Sequence, residues 1–138
     1  MHEEEVMREL EPGMFVAGQI SPEQASTSGM ALIVNNRPDG EEPGQPTSAE
    51  VEAAARAAGI DYRHIPVAGG FSEPQVTEMA AALAGADGPV LAFCKSGTRS
   101  TFLWALARSR QAEDGAALFR KAAAAGYDLA PLRHIIGH

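Results

Sequence analysis

The chain has 138 residues, 45% of them apolar, and one cysteine, which suits one domain over residues 1–138 with a single core, and a free thiol in a reducing, cytoplasmic setting. It holds no run of about eighteen apolar residues, and its acidic start, Met1-His2-Glu3-Glu4-Glu5, is the reverse of a basic secretion signal, so neither membrane insertion nor export is expected. The net charge is -7, and residues 1–50 carry ten acids against two bases, which excludes a basic stripe for nucleic acid.

Residues Glu5 to Leu10 alternate as a strand does, Pro12-Gly13 is a turn signal, and Met14 to Ile20 is a second extended run. Together they predict an edge hairpin. Ser21-Pro22-Glu23 supplies an N-cap, a proline at the first helical position and an acid in the first turn, so a short helix over about 22–28 follows, ended by Gly29. Met30 to Asn35 is continuously apolar up to its last residue, the pattern of a strand covered on both faces. The stretch from Asn36 to Pro46 has three prolines and two glycines and reads as a loop.

Thr47 or Ser48 caps a helix with Val51, Ala54, Ala55 and Ala58 on its apolar face. Asp61 to Val67 reads as a third interior strand, and Ala68-Gly69-Gly70-Phe71 as a flexible loop. Ser72-Glu73-Pro74-Gln75 opens a helix through Val76, Met79, Ala80 and Leu83. A short apolar strand from Gly88 to Phe93 follows, then a polar loop opened by Cys94, then a helix through Thr101 to Arg108. A further helix runs from Glu113-Asp114-Gly115 through Leu118, Phe119 and Ala122. Asp128 caps a last one whose Leu132, Ile135 and Ile136 form one apolar patch, and this C-terminal part reads as pure scaffold. The alternation of strand and helix predicts an α/β domain with a mostly parallel central sheet of four to five strands flanked by helices.

In such a sheet, ligands bind beyond the carboxyl ends of the strands. That rule gathers the loops at Asn35 to Glu42, Ala68 to Ser72 and Cys94 to Ser100. The last of these, Cys94-Lys95-Ser96-Gly97-Thr98-Arg99-Ser100, is the chemical centre of the sequence. A loop between a strand and a helix N-terminus turns backbone N–H groups inward, binds anions and favours the thiolate form of a cysteine placed there. Cys94 is the candidate nucleophile. Arg99 offers a planar fork of donors, and Lys95, Ser96, Gly97, Thr98 and Ser100 complete an anion-binding loop.

The competing reading of Cys94 as a small buried hydrophobe fits most free cysteines. It leaves the glycine, the three hydroxyls and the arginine of the loop without a purpose. Arg37 is brought near by topology as a second anion-binding residue, and Asp39 as a candidate general acid, although Arg-Pro-Asp-Gly is also an ordinary turn sequence. None of His2, His64, His134 and His138 stands at metal-ligand spacing from another histidine or from Cys94, so no metal and no cofactor is expected. His64 reads as a packed or edge-facing strand residue.

The Cys94 to Ser100 loop resembles the active loop of single-domain rhodaneses. Taken with Gly18-Gln19-Ile20-Ser21-Pro22, Asn35-Asn36-Arg37-Pro38-Asp39-Gly40-Glu41, Ile65-Pro66-Val67 and Gly126-Tyr127, the chain resembles the phosphatase-like domain family of beta-lactamase hydrolase-like proteins over about residues 6–128. The resemblance implies a protein-tyrosine-phosphatase-like, dual-specificity-like three-layer fold. It also implies an association with sulfide-oxidising enzymes such as persulfide dioxygenases and sulfide:quinone oxidoreductases.

Three features depart from a tyrosine phosphatase. Four residues rather than five separate Cys94 from Arg99, Phe93 replaces the usual histidine, and the loop after Val67 holds no acid. The narrower loop suits a terminal sulfur, and sulfur transfer needs no proton donor. The sequence therefore reads first as a rhodanese-type sulfurtransferase. It would carry sulfur from thiosulfate or glutathione persulfide to a low-molecular-weight thiol through a Cys94 persulfide. A phosphatase working through a Cys94 phosphocysteine, with Asp39 or Glu41 as acid, is the alternative. A non-catalytic anion-binding module of a sulfide-oxidation system is the third reading.

Overall fold

The computed structural model describes residues 7–137, so Glu5 and Val6 of the expected first strand lie outside the described residues. The Pro12-Gly13 turn joins β1 (Arg8–Glu11) to β2 (Met14–Ala17) as an antiparallel hairpin. Then follow α1 (Pro22–Ser26), β3 (Leu32–Asn35), α2 (Ser48–Ala57), β4 (Asp61–His64), α3 (Glu73–Gly85) and β5 (Val90–Phe93). The chain continues with α4 (Thr98–Arg110), α5 (Gly115–Ala124), a 3-10 turn at Ala130–Leu132 and α6 (Arg133–Ile136).

The five strands form one sheet in the order β1-β2-β5-β3-β4. β5 sits in the middle, parallel to both β2 and β3, and β4 is parallel to β3. Successive residues of a strand face opposite sides, and the core divides accordingly. Leu91 and Phe93 of β5 join Ile33, Val51, Ala55 and Tyr62 on the side of α1 and α2. Val90 and Ala92 join Met79, Leu103, Trp104 and Leu118 on the side of α3, α4 and α5. The result is the expected three-layer α/β arrangement.

Local chemistry fixes the helix starts. Ser21, Thr47 and Ser72 each accept a hydrogen bond from the backbone N–H three residues on, and the Gln24, Glu50 and Gln75 side chains each accept one from the cap residue's backbone N–H. These reciprocal capping boxes satisfy backbone donors that the first helical turn would otherwise leave unpaired.

Three expectations need correction. β4 is an edge strand, not an interior one: of its four residues only Tyr62 is buried, because Asp61, Arg63 and His64 are polar and one sheet edge suffices to cover Tyr62. The short helix over 22–28 stops at Ser26. Ile135 does not share a patch with Leu132 and Ile136, which are buried, since it is 57% exposed on the outer side of α6.

Two parallel neighbours hold β5, and all four of its residues are buried. Its carboxyl end therefore presents Cys94 from the middle of the sheet. The ladder continues past the strand ends, with Asn36 N–H donating to Phe93 O at 2.8 Å, Ile65 N–H to Asn35 O at 2.9 Å and Val67 N–H to Asn36 O at 3.0 Å. These bonds draw the loops after β3 and β4 toward the loop after β5.

Candidate active site

Cys94 follows directly on Phe93 and is fully buried. The chain then turns through Lys95 and Ser96 to Gly97, the N-cap of α4, whose φ of +93 is left-handed. Gly97 is required there for two reasons: a β-carbon would strain that conformation, and it would collide with the Tyr127 hydroxyl. The turn aims Gly97 N–H at Cys94 Sγ, 3.1 Å away. The sulfur thus lies at the positive end of a 13-residue helix, where a thiolate or a bound anion is stabilised by both the N–H and the helix dipole.

Arg99, one residue into α4, bends back over the loop. It donates to Val67 O at 2.8 Å and, through two nitrogens, to Glu41 Oε2 at 2.7 Å and Oε1 at 2.9 Å. Glu41's hydrogen bonds raise the Arg99 pKa above its ordinary value against the opposing effect of burial, and the nearby Cys94 adds to the rise through charge and a hydrogen bond. Arg99's hydrogen bonds, against burial, and then those of Arg37 hold the Glu41 carboxyl at about 2.

Arg37 is placed near Cys94 by topology, as expected, but its guanidinium is 3% exposed and fully engaged. Its Nε donates to Glu41 Oε1 at 2.8 Å, one terminal nitrogen to Gln19 Oε1 at 3.0 Å and the other to Glu42 Oε1 at 2.9 Å. Glu42 also pairs with Lys95 Nζ at 3.1 Å. The 37–42 loop therefore clamps both basic residues of the cysteine loop with two adjacent carboxylates, and Arg37 anchors those carboxylates from beneath.

Asp39 faces away from this cluster: its Oδ1 accepts the Ser48 N–H at 2.7 Å, at the first turn of α2. Ser96 donates to Thr98 Oγ1 at 3.0 Å. Ser100 is buried and donates to Asn36 Oδ1 at 2.8 Å, which joins the cysteine loop to the end of β3. His64, at the end of β4, contacts Arg37 O through Nε2 at 2.9 Å. Among the described residues no group of three His, Cys, Asp or Glu side chains is placed to hold a metal ion. No described helix is long and apolar enough to cross a membrane.

Several contributors were not assigned roles from sequence. Gln19 accepts from Arg37, and its N–H donates to Lys95 O at 3.4 Å. Tyr127 donates to Ser96 O at 3.1 Å, so the C-terminal part is not pure scaffold. Both lie in stretches that carried the family resemblance, Gly18 to Pro22 and Gly126-Tyr127, and that was the only signal they gave.

Comparison with known proteins gives this geometry a family. Residues 6–112 match the model of the beta-lactamase hydrolase-like protein, phosphatase-like domain. The chain belongs to that family. It is 48% identical over 82 residues to a beta-lactamase hydrolase-like protein of Agrobacterium fabrum, a match covering 59% of this chain and 19% of that protein. The chain thus spans about a fifth of the length of the curated relatives it matches.

Among solved structures, it is similar to a candidate phosphatase from Neisseria meningitidis. The identity is 29% and the TM-score 0.81, over 94% of this chain and 95% of that one. Tk-PTP in its active form has the same fold, with a TM-score of 0.68 at 17% identity over 94% and 92% of the two chains. The fold is therefore that of the cysteine-dependent protein tyrosine phosphatases. The comparisons support phosphatase-like chemistry better than the sulfur transfer that the loop spacing suggested.

Proposed function

We propose that this domain is a phosphatase that acts through a Cys94 phosphocysteine. The observation that carries the reading is the placement of Cys94 Sγ at the N-terminus of α4, 3.1 Å from Gly97 N–H and faced by Arg99. Membership of a phosphatase-like family supports it. The thiolate attacks phosphorus, and the loop N–H groups and the Arg99 fork stabilise the charge on the non-bridging oxygens, where fixed donors act most strongly. Arg99 must exchange Glu41 for the phosphoryl group, so substrate binding is coupled to release of Glu41 from Arg99.

A second reading, transfer of a sulfane sulfur from thiosulfate or glutathione persulfide to a thiol, is favoured by one specific observation, the four residues between Cys94 and Arg99. The two readings share Cys94 and separate by product. Phosphate release from p-nitrophenyl phosphate, measured beside the intact mass of the protein after thiosulfate exposure, tells them apart. We expect release that falls by roughly 10³-fold or more in Cys94→Ser. Undiminished release in that variant would overturn the nucleophile. Gain of one sulfur on Cys94 with no phosphate release would establish the second reading instead.

A further inference from the structure

We infer that the leaving group of the phosphatase reaction departs as an anion, without a proton from the protein. The substrates are then phosphoric anhydrides, acyl phosphates or phosphates of acidic phenols, not alkyl phosphate esters. The inference rests on the phosphatase reading. An alkoxide is too basic to leave unaided, and a positioned acid supplies about 10²–10⁴-fold toward its departure. Such an acid must be within hydrogen-bond reach of the leaving oxygen and must carry a proton.

None of the carboxylates on the three loops around Cys94 meets both conditions. Asp39 is committed to the Ser48 N–H, so using it would cost a contact of the first turn of α2. Glu42 is bound to Arg37 and Lys95. Glu41 is the carboxylate best placed, yet two arginines hold it in its ionised form through three hydrogen bonds of 2.7 to 2.9 Å. Arg37 keeps its hold independently of Arg99, because it is buried and anchored by Gln19 and Glu42. The remaining loop, Ala68-Gly69-Gly70-Phe71, has no titratable group. His64 contacts the Arg37 carbonyl.

The reaction balances without an acid. The Cys94 thiolate donates an electron pair to phosphorus, the P–O bond to the leaving group breaks, and its electron pair departs on that oxygen as an acetate, phosphate or phenolate anion. Water then attacks phosphorus, the P–S pair returns to Cys94, and the water proton passes to solvent as phosphate is released. Each leaving group named is stable as an anion near neutral pH, which is the condition the site imposes.

The test is a leaving-group series with the full chain: acetyl phosphate, inorganic pyrophosphate, aryl phosphates of graded phenol acidity, and glycerol 2-phosphate. The expected kcat/KM falls steeply as the leaving group becomes more basic, with glycerol 2-phosphate at least about 10²-fold below the most acidic aryl ester. Glu41→Gln should then change the rates on acidic and basic leaving groups by a common factor. A shallow dependence with ready turnover of glycerol 2-phosphate would overturn the inference and leave the phosphatase reading standing. So would selective loss of the basic leaving groups in Glu41→Gln, which would identify Glu41 as the proton donor. Absence of Cys94-dependent phosphate release from every member would remove the phosphatase reading, and the inference with it.

Discussion

At the scale of single residues, the decisive pair is Arg99 and Glu41. The carboxylate presents two oxygens to the arginine fork, as an oxyanion of the substrate would, and so competes for the group that must bind it. A charge-assisted pair of this kind contributes about 1.5–3 kcal/mol, enough for inhibition by inorganic phosphate to tighten roughly tenfold in Glu41→Gln. Steady-state inhibition measurements check this, and unchanged inhibition would mean that the pair opens freely. The pH dependence follows from the lowered folded-state value, about 2 against an ordinary 4.5. The contribution of Glu41 to stability is fully present above the ordinary value and is lost as pH falls toward 2. The stability difference between wild type and Glu41→Gln should therefore shrink through that range in urea titrations.

Tyr127 acts on the same loop from the opposite side. Its hydroxyl fixes Ser96 O at 3.1 Å and packs against the α-carbon of Gly97, which sets the orientation of the Gly97 N–H aimed at Cys94. Tyr127→Phe should lower kcat/KM by about fivefold, the equivalent of one hydrogen bond of about 1 kcal/mol, with little change in melting temperature. Cys94 and Arg99 were legible in the sequence because one short loop carries both. Glu41 was visible only as a possible substitute acid, and Tyr127 not at all as a site residue, because a contact spanning 31 residues leaves no periodic trace.

At the scale of elements, the helix starts were readable because capping is local: Ser21, Thr47 and Ser72 each stand a fixed distance before the first turn. What was not readable is that Asp39, in a turn-like sequence, reaches across nine residues to the first turn of α2. Asp39→Ala should cost about 1 kcal/mol of stability, as loss of a helix-terminal acceptor does, and should loosen the 37–47 segment in hydrogen exchange. A second tie crosses the molecule. Glu11 of β1 accepts from the Trp104 indole at 3.1 Å, Arg108 Nε at 2.9 Å and Lys121 Nζ at 3.0 Å.

Burial would raise the Glu11 pKa, but the hydrogen bonds from Trp104, Lys121 and Arg108 outweigh it and hold the carboxyl below its usual range. Its contribution to stability is present at neutral pH and is lost as acid protonates it. Glu11→Ala should destabilise the fold by about 2 kcal/mol, since it leaves a buried indole N–H without its acceptor and Arg108 and Lys121 with only the longer contacts to Glu113 among their ion pairs. Denaturant titration measures this. An effect below about 0.5 kcal/mol would show that water replaces the carboxylate without cost.

At the scale of the whole molecule, the apolar runs Leu32 to Val34 and Val90 to Phe93 revealed two central strands, and the intervening helices implied a parallel sheet. The strand order was beyond the pattern. Asp61 to Val67 contains enough β-formers to look interior, and only the sheet shows that β4 closes one edge while the β1–β2 hairpin closes the other. The same limit applied to chemistry. The four-residue spacing of the loop pointed to sulfur transfer, whereas the observed fold is the tyrosine-phosphatase-like one that the family resemblance had implied. A loop length constrains which anion fits, but the scaffold decides which groups surround it.

On the proposed mechanism, Cys94 becomes phosphorylated during turnover. Rapid acid quench of the wild-type chain with acetyl phosphate, followed by peptide mass analysis, detects this intermediate. The expected result is a phosphoryl group on the peptide containing Cys94 that appears within the first turnover and is absent from Cys94→Ser. Phosphate release at full rate with no phosphoryl group ever trapped on Cys94 would contradict it.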